Sequence, residues 1–148
     1  MIRTLTKCLP TMVGQKVKLK GFVHVVRDQK RMQFVILKDL SGMVQLFHEK
    51  GGEEDVLKSV ITSMTQESAI VVSGIVIGNP NVKLGGIEIV LDSIEVVGPA
   101  ESPIPITEES SLDHQLDWRA LSIRRPENAI IFRVQTTMEQ AMREFWQQ

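Results

Sequence analysis

Two side chains suited to contacting a nucleobase, Phe34 and Gln45, lie on neighbouring stretches in which apolar and polar residues alternate. The alternation assigns four residues of these stretches to a buried side: Val35, Leu37, Val44 and Leu46. Phe34 and Gln45 then turn to the opposite, exposed face. An aromatic ring can stack on a base, and an amide offers both a donor and an acceptor to a base edge. The pattern therefore predicts a face that can hold bases splayed out of an RNA loop.

Cations precede this face in the sequence. Arg27, Lys30 and Arg31 lie in a polar turn before Phe34, where they can meet phosphates or a base carbonyl. A purely structural alternative is open as well. Phe34 belongs to the core if its strand slips by one residue, and Gln45 is then an ordinary surface residue. The pattern alone does not choose between these two interpretations.

The net charge of −1 hides an asymmetry along the chain. Residues 1–50 contain ten Lys or Arg and three Asp or Glu, a balance of +7. Residues 51–115 contain two and eleven, a balance of −9. Such polarity can present one basic face to a polyanion, although solvated surface charges produce similar imbalances.

Residue patterns typical of enzyme active sites are absent from the sequence. It has no phosphate-binding glycine loop, no His-Glu-x-x-His and no nucleophile elbow. The histidines are scattered along the chain, and the single cysteine, Cys8, has no partner for a disulfide or a zinc site. We expect no catalytic residue, no cofactor and no metal within these 148 residues.

No run of 18 apolar residues and no signal peptide is present. We therefore expect a cytoplasmic protein with no membrane partner.

The elements that position Phe34 and Gln45 follow from the period of the apolar residues. Strands are predicted at 16–26, 32–39, 43–49, 68–77 and 86–97, with an amphipathic helix at 54–65. In the first strand the side expected to face the core holds Val17, Leu19, Val23 and Val25. Five strands with a helix between the third and fourth predict an all-β, five-stranded OB-fold Greek-key barrel, whose second and third strands and flanking loops bind oligonucleotides.

The composition changes after residue 100. The segment GPAESPIPITEESS, which begins at Gly98, is rich in proline and glutamate and has no apolar period, as is typical of a linker. Residues 127–148 then predict a helix whose apolar face holds Ile131, Val134, Met138, Met142 and Phe145. We expect an OB-fold domain at 1–100, a linker or hinge at 101–126, and the first helix of a truncated further domain at 127–148.

The sequence resembles the class II aminoacyl-tRNA synthetases of the aspartate, asparagine and lysine subgroup, and most closely the aspartyl enzymes of archaeal type. GFVHVVRD at 21–28 and the stretch KDLSGMVQ that leads to Gln45 resemble the anticodon-reading strands of that family. LDWRALSIRRPENAIIFRVQ at 116–135 resembles its hinge and the helix that leads into the first class II motif. The resemblance covers essentially the whole chain.

The resemblance implies roles for individual residues. Phe34 would stack on the central uridine of the anticodon, Gln45 would contact that base, and Arg27 would help to hold the neighbouring base. Enzymes of this type that are restricted to aspartate tRNA tend to carry Trp where this chain has His24, and Lys near Pro80. The resemblance thus implies a non-discriminating type that acts on the tRNAs for both aspartate and asparagine.

The resemblance also implies properties of a longer enzyme. ATP and magnesium would be its cofactors, and it would form a homodimer through a catalytic domain that lies beyond Gln148, so the present chain alone would be inactive. Three alternatives are open. They are an asparaginyl or lysyl enzyme of the same subgroup, a freestanding OB-fold protein that binds single strands, and an interaction module that uses an exposed sheet edge.

Overall fold

Residues 2–52, 54–107 and 109–147 are described by the structure, a computed structural model. The strands are Lys16–Asp28 (β1), Met32–Lys38 (β2), Met43–Glu49 (β3), Ala69–Gly78 (β4) and Ile87–Gly98 (β5). The helices are Val56–Ser63 (α1), Leu112–Asp117 (α2), Arg119–Ser122 (α3) and Pro126–Trp146 (α4). A 3₁₀ helix, Thr6–Thr11, precedes β1.

The five strands close into a barrel in the order β1-β2-β3-β5-β4, and β4 pairs back onto β1. Every pairing is antiparallel except that of β3 with β5, which is parallel. The helix α1 lies between β3 and β4 in the chain. The predicted five-stranded OB-fold with a helix after the third strand is therefore confirmed.

The core of the barrel is formed mainly by alternate residues along the strands, as the pleat of a strand requires. Its fully buried side chains include Val17, Leu19, Val23, Val35, Leu37, Val44, Leu46, Ile70, Val72 and Ile89. Ile61 of α1 and Leu9 of the 3₁₀ helix pack with them. Because Val35 and Leu37 are buried as predicted, β2 has not slipped by one residue, and Phe34 faces outward.

A β-bulge at His24 changes the alternation within β1. Val23 pairs with Leu37, but the next pair is Val25 with Ile36, so His24 is the extra residue. Val25 consequently lines the outer face of the barrel, and Val26 packs against the core. The prediction that Val25 faces the core is wrong, because alternation over the first half of β1 does not continue across the bulge.

The N-terminal segment is attached to the barrel through Asp39, in the turn between β2 and β3. Asp39 accepts hydrogen bonds from the backbone N–H of Thr6 at 2.9 Å and from its hydroxyl at 2.7 Å. It also accepts from the backbone and hydroxyl of Ser41, each at 2.7 Å. Burial opposes the charged form, but the hydrogen bonds from Thr6 and Ser41 outweigh it and lower the pKa of the Asp39 carboxyl.

Asp55 caps the N-terminus of α1. Its carboxylate accepts from the backbone N–H of Lys58 at 2.9 Å and of Gly51 at 2.7 Å, and it lies 2.8 Å from Nε2 of His48. Hydrogen bonds from the Lys58 and Gly51 backbone, with a smaller contribution from His48, lower the pKa of Asp55 to about 2. The cap therefore also holds the β3–α1 loop in place.

Residues 104–148 form a second compact unit, separate from the barrel unit of residues 1–103. The segment predicted as a linker contains α2 and α3, and α4 begins at Pro126, one residue before the predicted start. Ile131, Val134 and Phe145, on the predicted apolar face of α4, are exposed. Among the described helices, none is both long and apolar enough to cross a membrane.

Candidate nucleic-acid interface

An open cleft of ≈ 770 Å³ lies on the outer face of β1, β2 and β3, beside the β4–β5 loop. Its volume falls within the roughly 300–1,000 Å³ typical of ligand clefts. Four of the residues singled out in the sequence line it together: His24, Arg27, Phe34 and Gln45. The barrel thus gathers residues from three strands into one concave surface.

Aromatic side chains form one part of this cleft. Phe34 pairs with Phe47 across β2 and β3, and their ring centroids are 5.7 Å apart at an angle of 44°. Both rings are half-buried, so each rests on the barrel and keeps part of its surface open to the cleft. Such a pair offers a rigid apolar platform on which a planar base can stack.

A hydrogen-bond network forms the polar part of the cleft. Gln45 lies beside Glu88 in the parallel pairing of β3 with β5, and its Nε2 donates to Glu88 Oε2 at 2.9 Å. Asn79, directly after β4, donates through Nδ2 to Glu88 Oε1 at 2.8 Å. Both oxygens of the Glu88 carboxylate are therefore occupied by amide donors, and the residue is buried.

Charged side chains give the cleft a positive exposed surface. Arg27 pairs with Phe34 across β1 and β2, and Lys83 comes from the β4–β5 loop. Both cations are exposed, whereas the acidic Glu88 is buried under the amides. The charges that a ligand meets first are thus positive, as a phosphate-bearing ligand requires.

Three residues from the sequence analysis lie outside the lining of the cleft. Lys30 and Arg31 are exposed in the β1–β2 turn, and Pro80 is exposed in the β4–β5 loop, although its neighbours Asn79 and Asn81 line the cleft. The prediction that Arg27 lies in the turn is wrong, because β1 continues through Asp28. As a strand residue, Arg27 has its backbone held by the β2 ladder.

Sequence reasoning gave no role to Phe47, Asn79, Lys83 or Glu88. Alternation does place Phe47 and Glu88 on outer faces, since their neighbours Leu46 and Ile89 are buried. However, β3 and β5 are distant in sequence, so alternation cannot indicate that Glu88 lies beside Gln45. Asn79 and Lys83 belong to a loop with no periodic signal.

A metal ion has no evident place in the described part of the chain. Within residues 2–52, 54–107 and 109–147, no group of three or more His, Cys, Asp or Glu side chains is arranged to hold one.

Comparison with known proteins identifies the barrel. Residues 17–97 match the tRNA anticodon family of OB-fold nucleic acid binding domains. They include all of the strands except the first residue of β1 and the last of β5, and every residue that lines the cleft. The chain belongs to this family. The predicted resemblance to an anticodon-binding domain is thus confirmed.

Full-length relatives are aminoacyl-tRNA ligases. The aspartate–tRNA(Asp/Asn) ligase of Archaeoglobus fulgidus is 38% identical over 140 residues, which cover 92% of this chain and 32% of that protein. The aspartate–tRNA(Asp) ligase of Thermococcus kodakarensis is 34% identical over 90% of this chain and 31% of its own length. The chain therefore spans about a third of the curated relatives it matches.

Solved structures show the same similarity in three dimensions. The asparaginyl-tRNA synthetase of Pyrococcus horikoshii, complexed with asparaginyl-adenylate, superposes with a TM-score of 0.86 at 28% identity. The match covers 98% of this chain and 34% of that one. This OB-fold anticodon-binding region is thus similar to the corresponding parts of both aspartyl and asparaginyl enzymes.

Proposed function

We propose that this chain recognises the anticodon loop of a tRNA on behalf of an aspartate–tRNA ligase. The observation on which the proposal depends is the cleft itself, where a ring pair, an anchored amide and an exposed arginine lie within one concave surface of an anticodon-family barrel. An anticodon loop presents unstacked bases and phosphates, and each of these has a complementary group in the cleft.

The proposed contacts follow the chemistry of each side chain. Phe34, supported by Phe47, stacks on the central base, and the free carbonyl of Gln45 faces the edge of that base. Arg27 holds the neighbouring base or its phosphate. Lys30 and Arg31, in the exposed β1–β2 turn, make supporting contacts to the phosphate backbone.

The proposed tRNA partners are those for aspartate and asparagine. Relatives with similar identity include an aspartate–tRNA(Asp/Asn) ligase and an aspartate–tRNA(Asp) ligase, so overall similarity does not separate the two types. His24 lines the cleft and Pro80 lies in the adjoining loop, and we propose that these two residues leave the pocket for the third anticodon letter permissive.

The remaining proposals concern a longer protein. We infer that this region serves an aminoacyl-tRNA ligase whose catalytic residues lie outside the 148 residues, because the chain matches only about a third of its relatives. ATP and magnesium would serve that catalytic part, and a homodimer would form through it. On this proposal the longer enzyme works in the cytoplasm, where tRNAs are charged.

Binding and catalysis test the proposal separately. A stem-loop RNA with the aspartate anticodon should bind this chain saturably. A stem-loop in which a different base replaces the central base of that anticodon should bind more weakly at the same salt concentration. The chain alone should show no aspartate-dependent exchange of pyrophosphate into ATP. Equal binding of every stem-loop would contradict anticodon recognition, and exchange in a pure sample would contradict the placement of catalysis elsewhere.

A further inference from the structure

The β1–β2 turn, residues 29–31, carries the cations Lys30 and Arg31 beyond the last paired residues of the two strands. All three turn residues are exposed. A hydrogen bond from the backbone N–H of Gln29 to Met32 O, at 2.9 Å, closes the turn. This bond fixes the shape of the turn, but it does not fix where the turn lies relative to the rest of the barrel.

Lys50, directly after β3, holds both ends of this turn. Its backbone N–H donates to Arg31 O at 3.0 Å, and its ammonium forms an ion pair with Asp28, where the turn begins. The side chain of Lys50 is 15% exposed, so its ammonium is directed at Asp28 rather than at solvent. Hydrogen bonding from Lys50 is the largest influence on the Asp28 carboxyl and, against the effect of desolvation, lowers its pKa. Asp28 is therefore charged at neutral pH, and the ion pair is formed.

Helix α1 supports the same carboxylate from the other side. The hydroxyl of Thr62 lies 3.3 Å from Asp28 Oδ2 and 2.8 Å from Lys58 O, and it can donate to either. Gln33 of β2, which is fully buried, donates through Nε2 to Thr62 Oγ1 at 2.9 Å. Burying an amide costs free energy that an apolar side chain would not cost. What the amide supplies here is a fixed contact between β2 and α1, behind Asp28.

We propose, on the basis of the proposed function, that Asp28 and Lys50 are positioning residues whose ion pair holds the β1–β2 turn where Lys30 and Arg31 meet the phosphates of the anticodon loop. Neither Asp28 nor Lys50 needs to contact the RNA. A loop that is already held in its bound conformation loses less conformational freedom on binding, so the same phosphate contacts give a higher affinity.

The test is a double-mutant cycle with a stem-loop RNA that carries the aspartate anticodon. Dissociation constants are measured over a series of salt concentrations for the unmodified chain, for Asp28→Asn, for the turn variant Lys30→Gln/Arg31→Gln, and for all three substitutions together. Glu49→Gln is the matched control. Glu49 is an exposed carboxylate next to Lys50, so its substitution removes the same charge nearby and leaves the ion pair intact.

Asp28→Asn should weaken binding by about threefold to tenfold, the range expected when a side chain must be ordered on binding. By charge alone, removing a carboxylate would strengthen the attraction to a polyanion, so the expected sign is opposite to that of a simple charge effect. The slope of log affinity against log salt concentration should become shallower by about 0.7 for each phosphate contact that is lost. Glu49→Gln should not weaken binding.

The turn variant separates positioning from a general structural role. Once Lys30 and Arg31 have lost their charges, the ion pair has no phosphate contact left to position. Asp28→Asn should then change the affinity by less than about twofold, because residues that act as a unit are not additive.

Three results would overturn the inference. They are an unchanged or higher affinity in Asp28→Asn, an equal loss with and without the turn cations, and a turn variant that binds as tightly as the unmodified chain. If circular dichroism shows that Asp28→Asn does not fold, Lys50→Gln removes the other partner of the ion pair and replaces it in the cycle, which is judged by the same loss with and without the turn cations. Failure of the unmodified chain to bind the stem-loop would instead contradict the proposed function, so the two failures are distinguishable.

Discussion

Arg27 lies directly opposite Phe34 in the antiparallel pairing of β1 with β2. This relationship depends on the bulge at His24. In an unbroken strand Arg27 would share the face of Val17, Leu19 and Val23, which are buried. The extra residue turns the end of β1 over, so that a cation and an aromatic ring occupy the same outer surface.

Arg27→Gln should weaken binding of the anticodon stem-loop by about 1.5–3 kcal/mol, the usual contribution of a hydrogen bond to a charged group. The affinity is measured by titration at fixed salt, since phosphate contacts make it salt-dependent. Lys20→Gln is the control, because Lys20 is exposed on the same strand but outside the cleft. Equal losses in both variants would mean that Arg27 contributes only to the general charge of the surface.

Phe34→Ala should weaken the same complex by about 1–3 kcal/mol, because the stacking platform loses the ring that contacts the base. Phe22→Ala removes an exposed ring of β1 that does not line the cleft and should leave the affinity unchanged. Both variants are first checked for an intact fold by circular dichroism. If a folded Phe34→Ala variant binds as tightly as the unmodified chain, the ring of Phe34 does not contact the RNA and has only a structural role.

The third anticodon letter provides a test of His24. Two stem-loops are compared, one whose anticodon has C as its third letter, as for aspartate, and one with U, as for asparagine. Their dissociation constants should lie within about tenfold of each other, or roughly 1.4 kcal/mol. His24→Trp should increase the preference for C, because an indole can pack the loop that places discriminating groups. A competition titration of the two RNAs measures both values. A preference for C of a hundredfold or more in the unmodified chain would contradict the permissive pocket.

Gly74→Ala should destabilise the barrel by about 1–3 kcal/mol, the usual cost of overpacking. A Cβ at Gly74 would lie 2.2 Å from the backbone oxygen of Val90, so the paired strand itself must move. Gly78→Ala is the matched control, since a Cβ at this other β4 glycine meets nothing within 4 Å. Urea denaturation of both variants measures the difference, and similar stabilities would show that β4 and β5 can separate at little cost.

Asp55 should make the stability of the barrel depend on acid pH. Its folded-state pKa of about 2 lies below the ordinary value of 3.8, so its stabilising effect is complete above about pH 4 and is lost as the pH falls toward 2. The difference in unfolding free energy between the unmodified chain and Asp55→Asn should therefore shrink over this range.

Urea denaturation at a series of pH values measures this difference. Glu101→Gln, which removes an exposed carboxylate outside α1, controls for the loss of one charge. If the difference in unfolding free energy between the unmodified chain and Asp55→Asn stays constant from pH 6 to pH 2, protonation of Asp55 is not linked to folding.

Local patterns in the sequence were sufficient to predict most of the barrel. Alternation with a period of two identified the five strands, and the change to a helical period identified α1. The same alternation put Val35 and Leu46 inside and Phe34 and Gln45 outside, as observed. These features are determined by neighbouring residues, because a side chain faces core or solvent according to the pleat of its own strand.

The sequence by itself thus determined the OB-fold, and it offered the outward direction of Phe34 and Gln45 as one of two interpretations, between which the burial of Val35 and Leu37 decided. Only the tertiary structure decided the bulge at His24, which carries Arg27 to the outer face, and the pairing of Gln45 with Glu88, 43 residues away. Both depend on how one strand meets another when the barrel closes, and alternation within a single strand contains no information about that meeting.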